Sequence, residues 1–197
     1  IYPINQKKPI KETQLLNGNL EVTNEGYSLA KIASIKLCEY IKKKNNYNYL
    51  SLIPCNIYGP NDKFDNEKGH VVGSLIKKIY EAKQNNKKSV EIWGTGEVKR
   101  ELIYVDDVSR AIVKFMFNKK IIKKNIYWLN VGIGKDEKIN AIAKKISKIL
   151  NYKGKLLNNT KKPDGIKSKL MDNNLSKKHG WSANISLDKG LKKTIDW

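Results

Sequence analysis

Hydrophobic and polar residues change their period several times along the chain, and those changes mark out its elements. From Tyr27 to about Lys44, apolar residues fall at Leu29, Ile32, Ala33, Ile35, Leu37, Tyr40 and Ile41, which predicts an amphipathic helix. Tyr49 to Ile53 is a short, mostly apolar run stopped by Pro54, and predicts a buried strand entering a loop. The stretch "GHVVGSLIKKIYEAK" returns to helical spacing, with Val71, Val72, Leu75, Ile76 and Ile79 on one side. "SVEIWGTGE" predicts a short strand leading to a glycine turn. "YVDDVSRAIVKFMF" predicts a helix whose first turn carries aspartates, where the macrodipole favours them. "IYWLNVGIG" reads as another strand ending at glycines, followed by a helix over Lys138 to Leu150. A strand-like "GKLLNN", a polar "TKKPDGIKSK" and two terminal helical stretches close the chain. Strands alternating with helices predict the α/β class. Neither an internal repeat nor a flexible linker interrupts the pattern.

The length of 197 residues suits one domain or parts of two, and 40% hydrophobic residues with four tryptophans fit a globular chain. No apolar run approaches a membrane span, and the start, "IYPINQKKPI", lacks the apolar centre of a signal peptide. Two cysteines, Cys38 and Cys55, provide neither a disulfide framework nor a clustered metal site, so the expected compartment is the cytoplasm and no metal is expected. The chain opens on Ile1, at what reads like the end of a strand, which suggests a fragment. Its formal net charge is +20, yet all but two of its 39 basic residues are lysine, and asparagine and isoleucine are also abundant. That points to a compositional bias acting on solvated positions. Base recognition would favour arginine forks, so the charge argues for a phosphate-rich small molecule ahead of nucleic acid.

Candidate chemistry begins at "NEGYSLAKIASIKLCE". Tyr27 and Lys31 stand at i and i+4, on one helix face. A lysine ammonium beside a phenol stabilises the phenolate, which suits a proton donor for carbonyl–alcohol interconversion. Tyr40 and Lys44 share this spacing, so spacing alone does not separate a catalytic pair from a surface pair. The neighbours differ: Gly26, Ser28, Ala30, Ala33 and Ser34 are small enough to let a flat ligand lie against the helix near Tyr27.

Five segments add to this pair: "LNGNLEVTNEGYSLAKIASIKLCE", "PCNIYGPNDKFDNEKGHV", "WGTGEVKRELIYVDD", "LNVGIG" and "KPDGIKSKLMD". In this order the chain resembles the extended short-chain dehydrogenases/reductases that act on nucleotide sugars, and within them the GDP-L-fucose synthases. The resemblance covers nearly the whole chain. It implies the C-terminal part of a Rossmann-type NAD(P)-binding fold plus a smaller α/β substrate-binding domain. The cofactor part would comprise residues 1–60, with roughly 104–131 returning to it, and the substrate part residues 61–103 and 132–197.

The same resemblance implies site residues. Tyr27 would protonate the sugar C4 oxygen as hydride arrives from NADPH, with Lys31 its partner and a ligand of the nicotinamide ribose. Pro54, Cys55, Asn56 and Ile57 match the loop that lies along the cofactor. His70 matches the cofactor-proximal histidine that serves as acid in epimerisation at C3 and C5, a role suited to an imidazole. Lys78, Trp93, Arg100 and Asp164 match positions that contact the GDP-sugar. An indole packs on ring faces, and a guanidinium grips phosphate through two bonds. The family's dimer contact maps onto helices like Tyr27 to Lys44 and Gly69 to Lys83, so a homodimer is expected.

Departures from the family pattern bound the expectation. No glycine-rich turn follows a strand before Tyr27, so the pyrophosphate cradle is missing and the isolated chain is expected to be inactive. The family's catalytic serine and epimerising cysteine should lie upstream of Ile1; Cys38 and Cys55 do not match that cysteine. Position 78 is lysine where the family commonly has arginine. The alternatives are a reductase of GDP-4-keto-6-deoxyheptoses that does not epimerise, a nucleotide-sugar 4-epimerase, and a non-catalytic nucleotide-sugar-binding relative.

Overall fold

The computed structural model describes residues 1–66, 69–122 and 125–197, with Lys119 and Ile122 described in their backbone alone. In chain order the elements are α1 (Glu25–Asn45), β1 (Ser51–Pro54), β2 (Asn56–Tyr58), α2 (Val71–Gln84), β3 (Ser89–Trp93), β4 (Lys99–Tyr104), α3 (Val105–Met116), α4 (Lys119–Ile122), β5 (Trp128–Val131), β6 (Asp136–Lys138), α5 (Ile139–Ile149), β7 (Lys155–Asn159), α6 (Asn174–Lys178) and α7 (Leu187–Asp196). The chain is α/β, and it divides into two compact units. No helix among the described residues is long and apolar enough to cross a membrane.

The first unit comprises Ile1–Cys55, Asp106–Gly134 and Leu170–Ala183. Its strands β1 and β5 pair in parallel, from Ser51 opposite Trp128 to Pro54 opposite Val131. Helix α1 buries Ser28, Ile32, Ile35 and Glu39, which recur every three or four residues and so form one stripe. Ile32 and Ile35 join Leu15, Ile53 and Met171 in a common apolar cluster. Leu29, Leu37 and Tyr40 remain 53%, 58% and 59% exposed, so the helix carries apolar residues on two faces. It stops at Asn46, whose φ of 55° is left-handed, after Lys42, Lys43 and Lys44 in the last turn. Buried Glu39 is held by Lys36 and, at 2.6 Å, by Lys43. Burial raises the Glu39 carboxyl, but those two hydrogen bonds outweigh it and leave the group below its ordinary value.

A buried polar knot ties the start of this unit to its strands. Asn130 donates through Nδ2 to the carbonyls of Ile10 (2.9 Å) and Asp172 (3.0 Å), and its Oδ1 accepts from the Tyr2 hydroxyl at 2.6 Å. Its backbone N–H donates to Glu12 Oε1 at 2.9 Å, and Trp128 Nε1 donates to the Glu12 carbonyl at 3.0 Å. Asn173 Nδ2 donates to the Gly132 carbonyl at 3.0 Å, and Ile10 bridges to Met171. These bonds seat residues 170–183 in this unit, although sequence order groups them with 132–169.

The second unit comprises Asn56–Val105, Lys135–Lys169 and Asn184–Trp197. It holds a three-stranded sheet ordered β2–β4–β6 and a two-stranded sheet of β3 and β7. β2–β4 and β3–β7 are parallel, whereas β4–β6 is antiparallel. The core sets Leu75, Ile76 and Ile79 of α2 in one cluster with Ile142 and Ile146 of α5 and Leu191 of α7. The elements read from periodicity are present. Strands β4 and β6 were not legible: β4 opens on Lys99, Arg100 and Glu101, and β6 is Asp136, Glu137 and Lys138. Pairing in the sheet defines both: β6 has no apolar residue, and the buried Leu102, Ile103 and Tyr104 of β4 run straight into α3.

Candidate functional site

In the second unit a cavity of about 260 Å³ collects Lys78, Trp93, Arg100 and Asp164 from four separate segments. Lys78 comes from α2, Trp93 from the last position of β3, Arg100 from β4, and Asp164 from the loop after β7. Alternation along β3 explains Trp93: Val90 and Ile92 face the core, and Trp93 is 44% exposed. Lys78 directs its ammonium at the indole, 4.6 Å from the ring centroid. Burial pushes the Lys78 ammonium below its ordinary value; Glu91 acts the other way, and Lys162 adds to the lowering.

Arg100 is anchored through Nη1, which donates to the carbonyls of Lys99 and Ile166, each at 2.8 Å. Two backbone acceptors on one nitrogen fix the guanidinium plane. Asp164 is also engaged: its Oδ1 accepts from the Thr95 N–H at 2.7 Å and its Oδ2 from the Thr95 hydroxyl at 2.8 Å. The carboxylate thus clips the turn after β3 to the loop after β7. That turn requires Gly94 at φ +74°, where an added Cβ would stand 2.1 Å from Asp164 Oδ1. Thr95 is a residue that sequence reasoning missed. Its signal, a hydroxyl between two glycines after a strand, becomes specific only when Asp164 is seen opposite.

His70 is the residue before α2. Its side chain is largely exposed, with Nδ1 3.3 Å from Oδ1 of the mostly buried Asp62, which also accepts the Lys63 N–H at 2.7 Å. Asp62 was not singled out by sequence. Glu67 and Lys68 of the "DNEKGHV" stretch lie outside the described residues. Asn56 and Ile57 open β2 on exposed positions.

In the first unit, Tyr27 and Lys31 are both exposed on α1, with Lys31 Nζ 5.6 Å from the Tyr27 ring centroid. Lys44 stands 5.8 Å from the Tyr40 ring, so the two pairs have nearly the same internal geometry. Of the small residues around Tyr27, Gly26, Ala30, Ala33 and Ser34 are exposed, and a Cβ on Gly26 would meet nothing within 4 Å. Ser28 faces the core instead and takes no part in that open surface. Pro54 ends β1, and Cys55 donates its N–H to the Val131 carbonyl at 3.0 Å. Neither cysteine forms a disulfide.

Comparison with known proteins identifies the family. Residues 1–132 match the NAD dependent epimerase/dehydratase family. The chain is 43% identical over 198 residues to the GDP-L-colitose synthase of Yersinia pseudotuberculosis, covering 100% of this chain and 63% of that protein. It is 39% identical over 202 residues to the GDP-L-fucose synthase of Escherichia coli K12, again covering 100% of this chain and 63% of the relative. Among solved structures it is similar to a GDP-mannoheptose C4 reductase from Campylobacter jejuni with NADP bound. There the TM-score is 0.86 at 32% identity, over 100% of this chain and 66% of that one. The chain thus spans somewhat less than two thirds of the curated relatives' length. It belongs to the NAD dependent epimerase/dehydratase family.

Proposed function

We propose that the protein acts as an NADPH-dependent reductase of a GDP-4-keto-6-deoxyhexose, with epimerisation at C3 and C5, as in GDP-L-fucose synthesis. One observation carries the reading: a cavity that sets the Lys78 ammonium and an anchored Arg100 guanidinium beside a half-exposed Trp93 indole. Two cations for a diphosphate and a flat apolar face for a ring are what a nucleotide sugar needs. The relatives named above, a GDP-L-colitose synthase, a GDP-L-fucose synthase and a GDP-mannoheptose C4 reductase, support it.

In this reading Tyr27 donates its phenolic proton to the C4 oxygen, and Lys31 holds the resulting phenolate and the nicotinamide ribose. The exposed hydroxyl and ammonium on α1, beside open Gly26, fit that end of the cofactor. Pro54, Cys55, Asn56, Ile57 and His70 would also line the cofactor. NADPH, when bound, supplies the hydride to C4. In the epimerisation His70, oriented by Asp62, is the acid that protonates the enolate carbon at C3 and C5 after a base outside these residues has taken the proton from the opposite face. Asp164 contributes lone pairs beyond those used by Thr95 to the GDP-sugar. Residues 1–60 with 104–131 serve the cofactor, and 61–103 with 132–197 the substrate. Exposed Leu29, Leu37 and Tyr40 on α1 support a homodimer, and two cysteines that form no disulfide support a cytoplasmic setting.

The test is NADPH consumption, followed by absorbance, with GDP-4-keto-6-deoxymannose, by the 197-residue chain and by a form extended through the upstream reading frame. The chain alone is expected to be inactive, and the extended form is the parent for the substitutions. Turnover should fall by at least about a hundredfold in Tyr27→Phe and stay near the parent in Tyr40→Phe. Full turnover by Tyr27→Phe, or no NADPH consumption by the parent, rejects the proposal. NMR of the product at C3 and C5 then decides epimerisation.

A further inference from the structure

Lys162 has no part in the roles assigned above. It stands just after β7, where its backbone N–H donates to the Asn159 carbonyl at 3.1 Å, two residues before Asp164 of the pocket wall. Its Nζ lies 5.1 Å from the centroid of the Trp93 indole, the same ring that Lys78 approaches to 4.6 Å. Two ammonium groups directed at one ring lie within about 10 Å of each other, close enough to repel in a partly shielded site. Lys78 registers that repulsion, since Lys162 lowers its proton affinity in addition to the larger effect of burial. Among the described residues neither lysine makes an ion pair with a carboxylate. One cation–π contact on a half-exposed indole is weak, little reason to bring a second like charge beside the first. A bound polyanion removes the repulsion and gives both ammoniums hydrogen-bond acceptors.

We propose that Lys162 is a second phosphate-binding cation of this site, closing with Lys78 on the diphosphate of a nucleoside-diphosphate ligand. The four-carbon stems let either Nζ swing from the indole to a phosphate oxygen, which frees the Trp93 face for an apolar ring. The proposal rests on the nucleotide-sugar reading of the pocket, and the following experiment separates the two.

Calorimetric titration of the protein as encoded, with GDP, guanosine and inorganic pyrophosphate, is run on the parent, Lys162→Met and Lys162→Arg at two salt concentrations. Lys162→Met should bind GDP and pyrophosphate about tenfold more weakly, with a shallower salt dependence and unchanged guanosine binding. Lys162→Arg should stay close to the parent, because the charge is kept. Equal GDP affinity in the parent and Lys162→Met overturns the role of Lys162 and leaves the pocket reading standing. Equal losses for guanosine and GDP also overturn it, because the damage is then not to phosphate recognition. Lys162-dependent binding of pyrophosphate without binding of GDP supports the lysine and rejects the nucleotide reading. Binding of neither by the parent rejects both.

Discussion

Gly94→Ala tests how the rim of the Trp93 cavity is held. Gly94 sits at φ +74°, and a Cβ there would lie 2.1 Å from Asp164 Oδ1 and 3.1 Å from its Cγ. The left-handed conformation alone costs an L-residue about 1–2 kcal/mol. The steric contact adds a second penalty, because the atom in the way is itself a hydrogen-bond acceptor. Moving the carboxylate aside stretches its bonds from the Thr95 N–H (2.7 Å) and hydroxyl (2.8 Å). Those are charge-assisted but exposed, so their loss is put at about 1–2 kcal/mol together. The substitution should therefore cost about 3 kcal/mol locally. In an Asp164→Ala background the obstacle is gone, only the backbone cost remains, and the coupling between the two sites should be about 1–2 kcal/mol. Native-state amide exchange of β3 and β7, with Thr95 as the central probe, is the assay. It reads local opening, which matters because two compact units need not unfold in one step. Equal cost of Gly94→Ala in both backgrounds would refute the carboxylate contact and leave only backbone strain.

Two further substitutions probe the cores. In Gly190→Ala the new Cβ would meet Tyr58 Oη at 2.1 Å and Tyr104 Cδ2 at 3.0 Å, both on buried rings. Overpacking of about 1–3 kcal/mol should exceed the gain in helix propensity and lower the thermal midpoint; a raised midpoint would show that α7 has room to shift. Glu12→Gln tests the polar knot through pH. Burial lifts the Glu12 carboxyl above its ordinary value of 4.5, and the Asp172 charge adds to that, against the Asn130 N–H. The folded state therefore binds the proton more tightly than the unfolded chain. Stability from this group is fully present below pH 4.5 and is lost as pH rises through the lifted value. Glu12→Gln keeps an acceptor for Asn130 but cannot ionise, so its urea midpoint should gain on the parent as pH rises past that range. A difference that stays constant with pH would exclude the titration of Glu12 as its source.

Sequence order and periodicity were enough to establish the alternation of strands and helices, because burial of one face leaves a period that local residues must obey. The helix read from Tyr27 to Lys44 and the strand ending at Trp93 came from that rule. So did the pairing of Tyr27 with Lys31, which helical spacing imposes. Resemblance to a family named Lys78, Trp93, Arg100 and Asp164 together without showing how they meet. Folding decided the rest. Strands β4 and β6 owe their existence to neighbours that satisfy their backbone groups, and no local pattern encodes a neighbour. Ser28 looks like its small companions in sequence but turns inward, since one residue along the helix rotates the side chain by about 100° from exposed Tyr27 onto the stripe of Ile32 and Ile35. Thr95 and Asp164 are 69 residues apart in the chain, yet Thr95 donates two hydrogen bonds to the Asp164 carboxylate. Lys78 and Lys162, lysines among many, become distinct only because strand β3 brings one indole within reach of both ammonium groups. The sequence by itself determined which local shapes the chain takes. Only the tertiary structure decided which distant side chains share a cavity, since long-range contacts depend on how strands pair and not on the residues beside them.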